Sequence, residues 1–343
     1  MLIGSELLGE LRLCRRAQNN AILWGPPGIG KSALVQQASK LDCIGYRSLV
    51  APQHAPEDIR GVPYPDVAAR TTEFFTTSEI PREGAGYLVI EELCSAEPST
   101  QIVFNQLLYE RRVGQTKLPD GWMVVATSNR QQDDTLFYRS AATTRSRVWN
   151  VEVEADYANW RKWAVANNID AHIVDFLRQF NAGDENHFCR FDPRSPELTY
   201  PLPRTWALLS NRLAIDSELP SIEVIAGYVG NEAATKFRAY TSIWSKMPDL
   251  DKVIAGEDPP IIKDRTVQYA TVTALVSRIG KSMGAAEFDP VLAWVAKRIE
   301  RDISAVFFFD LKQTGFWKTH GLCIIQTDNW AAYARRLGEL IIK

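Results

Sequence analysis

Cysteine is scarce in this chain, and its arrangement is uninformative in a useful way. The five thiols, Cys14, Cys43, Cys94, Cys189 and Cys323, are odd in number and scattered. They contain no C-x-x-C pair, which argues against a disulfide framework and a structural zinc site and fits a reducing cytoplasm. Histidine is rarer still, at four residues, and the pairs His187/Cys189 and His320/Cys323 have no partners at zinc spacing. Excess charge of either sign is also missing. Lys+Arg 39 against Asp+Glu 41 leaves a formal net charge of -2, so no global field draws the protein to nucleic acid or to an anionic membrane. No uncharged apolar run approaches the roughly 18 residues of a membrane span. The longest patches are short, such as Ala305-Val306-Phe307-Phe308-Phe309. The first ten residues carry Glu6 and Glu10 and no basic segment, so no signal peptide is expected. Internal repeats and low-complexity tails are absent. What remains is ordinary globular composition, 45% hydrophobic over 343 residues, enough for two domains and a sizeable core.

One stretch organises the rest. The apolar run Ala21-Ile22-Leu23 leads into Trp24-Gly25-Pro26-Pro27-Gly28-Ile29-Gly30-Lys31-Ser32, and a helical pattern beginning Ala33-Leu34-Val35 follows. A buried strand, a glycine-rich turn and a helix N-terminus together make a phosphate cradle, because free backbone N–H groups and the positive end of the helix dipole face the anion. In the pattern Gly25-x4-Gly30-Lys31-Ser32, Lys31 is placed to bridge β- and γ-phosphates and the Ser32 hydroxyl to ligate Mg²⁺.

Helical spacing of Leu7, Leu8 and Leu11 predicts an amphipathic helix over 5–16. Strands are expected at 46–51, 87–90, 121–127 and 148–153, and a helix at 99–111. Residues 52–81, rich in Pro, Asp and Thr, suit loops, a hairpin or a short insertion. Strands alternating with helices argue for a doubly wound α/β sheet. Beyond Glu154 the pattern turns helical, with helices expected at 157–166, 173–180, 205–215, 222–242, 267–279 and 290–304, and 322–325 ambiguous. The Trp residues, Trp160, Trp163 and Trp206 among them, read as helix packing, and Arg111-Arg112 as a solvated helix end.

In an open parallel sheet, groups at the C-terminal ends of neighbouring strands meet above the phosphate loop. Glu91 and Glu92 end one apolar strand and Asn129 follows another. Glu91 would hold the Mg²⁺ shell, Glu92 would polarise an attacking water, and Asn129 would hydrogen-bond the γ-phosphate or that water.

Gly25 to Ser32, the strand ending in Glu91-Glu92, Ala126-Thr127-Ser128-Asn129 and Pro203-Arg204-Thr205-Trp206 together resemble an AAA+ ATPase of the MoxR family, in the helix-2-insert clade. The similarity spans roughly residues 15 to 240, with Pro56 to Pro63 similar to the entry into the insertion and Val113 to Pro119 similar to the loop before the sensor-1 strand. The resemblance implies an AAA+ P-loop core over 1–153, a helical lid over 154–245 and a helical C-terminal region, 246–343. It implies ATP and Mg²⁺ as cofactors, with Gly25, Pro26, Pro27, Gly28, Ile29, Gly30, Lys31, Ser32 and Ala33 around the nucleotide. Glu91 and Glu92 correspond to Walker B, Asn129 to sensor 1 and Arg204 to sensor 2. Within Thr144 to Val148, Arg147 is chosen over Arg145 as the arginine finger that acts on a neighbour's nucleotide, so a homo-oligomeric ring, usually a hexamer, is implied. A protein client or a von Willebrand factor A domain partner is implied too, with 58–77 and 114–118 expected to face the pore or substrate. The family carries Asp-Glu where this chain has Glu91-Glu92, one methylene longer at the metal-facing position. Two other readings stand beside this one. A nucleic-acid motor of the same class would need a basic, aromatic-interleaved groove, which the sequence does not display. A non-hydrolysing, ATP-dependent assembly scaffold would follow if Glu91 fails to support turnover.

Overall fold

The computed structural model of the chain describes residues 4–75, 77–133, 137–140, 142–181, 186–216, 218–261, 263–282 and 285–337. Thr76, inside the expected insertion, lies outside the described residues. The chain divides into two compact units, one of residues 1–156 with 192–194 and one of residues 157–191 with 195–343.

In the first unit the strands are β1 (Ala21–Trp24), β2 (Gly45–Val50), β3 (Val62–Asp66), β4 (Thr71–Phe75), β5 (Ala85–Glu91), β6 (Arg112–Val113), β7 (Thr116–Lys117), β8 (Gly121–Ser128) and β9 (Trp149–Glu152). Its helices are α1 (Gly4–Arg16), α2 (Lys31–Leu41), α3 (Pro56–Arg60), α4 (Pro98–Glu110) and α5 (Ala142–Arg145). The continuous apolar runs become the inner strands of one parallel sheet in the order β2-β5-β8-β1-β9, as expected of strands buried on both faces. Alternation sends Ile22, Leu88, Ile90, Val124 and Ala126 to one face, where they share a core with Phe104, Leu107 and Leu108 of α4. On the opposite face lie Tyr87 and its neighbours two residues on, covered by α1 and α2. Tyr87 is fully buried there, and burial pushes its phenol up while the Arg15 guanidinium of α1 works in the opposite direction.

Asn20, just before β1, ties these layers together. Its amide nitrogen donates to the Leu108 carbonyl at 2.5 Å, its side-chain oxygen accepts from the Val124 N–H at 2.9 Å, and its backbone carbonyl accepts from Trp149 N–H at 2.9 Å. One buried residue therefore serves α4 and β8 through its side chain and the start of β9 through its backbone. The region after α3 forms an antiparallel hairpin, β3 with β4, and a smaller one joins β6 to β7. On the larger hairpin Tyr64 stacks on Phe75 with ring centroids 4.3 Å apart, while Val62, Val67 and Phe75 are exposed.

Arg111 departs from the expectation of a solvated end. It closes α4 in the left-handed region, φ +55°, which turns its guanidinium back onto the chain. There it donates to the carbonyls of Pro119 at 3.1 Å and Trp122 at 2.8 Å. Arg112 does remain outside, paired with Glu110 at 2.8 Å.

The second unit is helical: α6 (Tyr157–Ala166), α7 (Ala171–Gln179), α8 (Pro203–Leu213), α9 (Ile222–Val229), α10 (Asn231–Thr241), α11 (Leu250–Ile254), α12 (Arg265–Ser282), α13 (Ala285–Arg298), α14 (Arg301–Leu311), α15 (Gly315–Ile324) and α16 (Asp328–Leu337). Two expected helices are each broken in two. The run 222–242 breaks at Gly230, which sits at φ +82°, and the Glu197 carboxylate accepts the Asn231 N–H at 3.1 Å to start α10. The run 290–304 breaks around Ile299 and Glu300, where the Glu300 N–H is taken by the Gln268 side chain at 2.8 Å. Trp206 is fully buried, as its packing role requires, with its indole N–H donating to the His187 carbonyl at 2.7 Å and its ring against Phe176 and Phe237. His187 is itself a packing residue, buried and stacked near Phe176.

Replacing Asn20 with Ala would leave a buried N–H and a buried carbonyl unpaired. Each such orphan costs about 1–3 kcal/mol, so we expect Asn20→Ala to lower the unfolding free energy of the first unit by about 2–5 kcal/mol, read as an earlier urea midpoint with an unchanged m-value. A midpoint within experimental error of wild type would refute the hub assignment.

Candidate functional site

The parallel register fixes which residues share the C-terminal edge of the sheet. Ile90 is level with Ala126, and Ala126 with Ile22. One residue further, Leu23 is level with Thr127, and Val50 pairs with Glu91 on the outer side. The chain leaves the sheet immediately afterwards at Glu92, at Asn129 and at Gly25. Three of the stretches singled out in the sequence are thus delivered to one edge by backbone geometry alone.

The loop after β1 is anchored at both sides. Gly25 N–H donates to the Ser128 carbonyl at 3.2 Å, and Val153 N–H donates to the Trp24 carbonyl at 2.7 Å. A side chain at position 25 is excluded, because a Cβ there would stand 2.5 Å from the Val153 carbonyl oxygen. Gly28 and Gly30 take φ +73° and +96°, and Gly30 is the residue that opens α2. Ile29 is buried beneath the loop. Helix α2 then presents its first N–H groups and its positive dipole end at the sheet edge.

Lys31 is 9% exposed, and its ammonium lies among three oxygens. It donates to the carbonyls of Gly25 at 2.6 Å and Pro26 at 2.8 Å, and to Asn129 Oδ1 at 3.3 Å. The Lys31 and Asn129 side chains, 98 residues apart in sequence, are therefore in direct contact. A cradle that admits only glycine at its first position and holds a buried ammonium at its floor fits a polyphosphate.

Glu91 falls on the same sheet face as Tyr87 and Val89, the face from which α2 rises. Its carboxylate accepts from the Ser48 hydroxyl of β2 at 2.5 Å. The Ser32 hydroxyl in the first turn of α2 and the Glu91 carboxylate are oxygen donors of the hard kind that would suit Mg²⁺. Glu92 is exposed and adopts φ +56°, ψ +40°, with its carbonyl accepting from Ser95 N–H at 2.9 Å. A non-glycine residue held in the left-handed region costs free energy, a conformation Glu92 shares with Gln18, Cys43, Arg70, Arg111 and Asn168.

Ser48 was not foreseen, nor was Arg130. The Arg130 guanidinium grips the Asp133 carboxylate with two bonds, 2.7 and 3.0 Å, and Asp133, Glu152 and Glu154 hold the guanidinium protonated, above its ordinary range. This pair braces the turn that follows Asn129. A sequence signal was available in Arg130-x-x-Asp133, an i,i+3 opposite-charge pair directly after the strand. Nothing in the sequence pointed to Ser48, which becomes relevant only through the pairing of β2 with β5.

The two arginines before β9 differ in surroundings. Arg145 is half-buried beside the Cys94 thiol, which burial pushes up. Arg147 is exposed, with its guanidinium carbon 4.8 Å from the centroid of the Tyr109 ring. Arg204 is exposed in the first turn of α8, in the second unit.

Residues 20–148 match the family described as the AAA domain of the dynein-related subfamily. No curated protein matches the chain significantly. Among solved structures, the chain is similar to a proposed ATPase from Cytophaga hutchinsonii at 12% identity, with 93% of this chain and 86% of that chain covered and a TM-score of 0.35. A variant of RuvB from Thermotoga maritima aligns at 16% identity over 70% of this chain and 71% of that one, TM-score 0.40. NtrX from Brucella abortus in complex with ADP aligns at 15% identity over 99% and 70%, TM-score 0.36. The family match and a phosphate loop following a strand inside a β2-β5-β8-β1-β9 sheet make residues 20–148 an AAA+ domain with a nucleotide-binding core, followed by a helical region.

Proposed function

We propose that the chain is a Mg²⁺-dependent ATPase of the MoxR kind that works as a homo-oligomeric ring on a protein client. The observation that carries the ATPase reading is the contact of Lys31 with both the loop carbonyls and Asn129 at the sheet edge where β5 ends in Glu91 and Glu92. In this reading the backbone of Gly25 to Ala33 wraps the phosphates and Lys31 supplies positive charge to the β- and γ-oxygens. Ser32 and Glu91 hold Mg²⁺, which when bound neutralises charge developing on the transferring phosphoryl group. Glu92 accepts the proton of the attacking water and Asn129 orients it. Arg147, being exposed, is the finger offered to a neighbouring protomer, and Arg204 is sensor 2 of the lid. The ring, commonly hexameric, and the client or von Willebrand factor A partner rest on the MoxR resemblance, and the cytoplasmic setting rests on the scattered free cysteines; the exposed β3–β4 hairpin is the surface we assign to the client.

Steady-state phosphate release, measured across protein concentration together with oligomer mass, tests this. Turnover should rise with assembly. Glu92→Gln should lower it by about 10²–10⁴-fold and Arg147→Ala by about 10³-fold or more. Nucleotide-dependent assembly with no wild-type turnover would overturn the ATPase in favour of a scaffold.

The Ser48 bond generates a finer expectation. Losing one donor to the Glu91 carboxylate is worth about 0.5–1.5 kcal/mol, so Ser48→Ala should raise the Mg²⁺ concentration for half-maximal turnover by roughly two- to tenfold, with maximal rate nearly kept. An unshifted Mg²⁺ titration would show that Ser48 does not orient the metal-side carboxylate.

A further inference from the structure

Resting on the reading of Arg147 as a finger that serves a neighbouring protomer, we propose that Tyr109 is its positioning residue, and that α4 links a protomer's own catalytic edge to the finger it offers. An exposed arginine has many rotamers to give up before it can reach a defined point. Something on its own protomer has to hold it. The Arg147 guanidinium lies over the Tyr109 ring at 4.8 Å from its centroid. Its backbone is fixed as well, since Arg147 N–H donates to the Thr144 carbonyl at 3.1 Å and the next residue, Val148, packs against the core below the sheet.

The choice of partner matters chemically. An ion pair would use up the guanidinium's charge and its N–H donors, whereas a ring face orients the plane and leaves both for an incoming phosphate. The nearest carboxylate on the same helix is Glu110, and it is engaged elsewhere, with Arg112 at 2.8 Å and Gln106 at 3.0 Å. Glu110 contributes a nearby negative field to Arg147, while Tyr109 sets its direction.

Position along α4 gives the second half of the inference. The helix begins at Pro98, six residues after Glu92, and Tyr109 lies on its last turn, about 16 Å further along at 1.5 Å per residue. Its buried face, including Phe104, Leu107 and Leu108, is locked into the sheet core. A shift of the Glu92 turn on nucleotide binding would therefore reach Arg147 through a rigid rod.

The test uses full-length protein. Tyr109→Ala should lower kcat at saturating ATP by about two- to fivefold, the range an exposed cation–π contact supports, with KM for ATP unchanged and the thermal midpoint retained. Tyr109→Phe, which keeps the ring, should match wild type. In rings mixed from Tyr109→Ala and Glu92→Gln protomers, turnover per Tyr109→Ala protomer should recover, because the Glu92→Gln neighbours bring an intact Tyr109–Arg147 pair to a competent site. Equal loss in the Ala and Phe variants, a KM effect without a kcat effect, or no recovery in mixed rings would overturn the assignment of Tyr109 while leaving the finger reading intact. Wild-type turnover in Arg147→Ala would overturn both.

Discussion

The in-register parallel pairing of β5, β8 and β1 is the constraint on which the rest of the first unit depends. Parallel strands can be connected only by crossovers, so each strand delivers its chain to the same edge and each crossover returns it through a helix. Once Ile90, Ala126 and Ile22 are level, Glu92, Asn129 and Gly25 leave the sheet together, whatever their separation in sequence. A slip of one residue in β5 would send Glu91 to the opposite face of the sheet, away from α2 and Ser48. Asn20 guards the register of β8 beside β1 in the same way: its side chain reads both the β8 backbone and the end of α4, and an amide that fails to find Val124 N–H and the Leu108 carbonyl is left buried and unpaired.

On that frame, Lys31 converts geometry into electrostatics. A buried ammonium is tolerated only where oxygen atoms surround it, and here they come from the phosphate loop and from the residue after β8. Loop conformation, helix start and the turn after β8 are thus coupled through one charge. The Glu91 carboxylate is likewise steadied by a hydroxyl from β2, a partner that only the strand pairing brings near.

Much of the first unit was legible because its signals are strong and local. The phosphate loop, the apolar runs of the inner strands and the carboxylates at a strand end are each written in consecutive residues. Ser48, Tyr109 and the true surroundings of Arg111 were not legible, since each acquires its role from a contact made across the fold. Arg111 read as solvent-facing because charged residues at helix ends usually are; its left-handed backbone, visible only in the structure, turned it toward the carbonyls ahead of β8. The helix breaks at Gly230 and near Glu300 were missed for a related reason. Apolar periodicity runs through both, and it is the capping partners Glu197 and Gln268, 34 and 32 residues away in sequence, that make the interruption favourable.

In the second unit, the buried charges show why residues beyond 245 are inseparable from those before it. Asp175 on α7 is fully buried, pairs with Arg178 of the same helix, and accepts from the Tyr240 hydroxyl of α10 at 2.5 Å and from Thr273 of α12 at 3.4 Å. Arg178 also lies over the Tyr269 ring at 4.2 Å. Arg161 on α6 pairs with Asp310 on α14, whose carboxyl is pushed up by burial and held down again by that guanidinium. An isolated charge in such a site is prohibitively costly, and breaking a buried pair costs about 3–5 kcal/mol. Helices α6 and α7 can therefore fold with Arg161, Asp175 and Arg178 inside only if α12 and α14 are present to complete the network. The helices on either side of the boundary expected at 245 specify one another, so α8, which carries Arg204, belongs to a compact unit whose integrity requires the C-terminal helices.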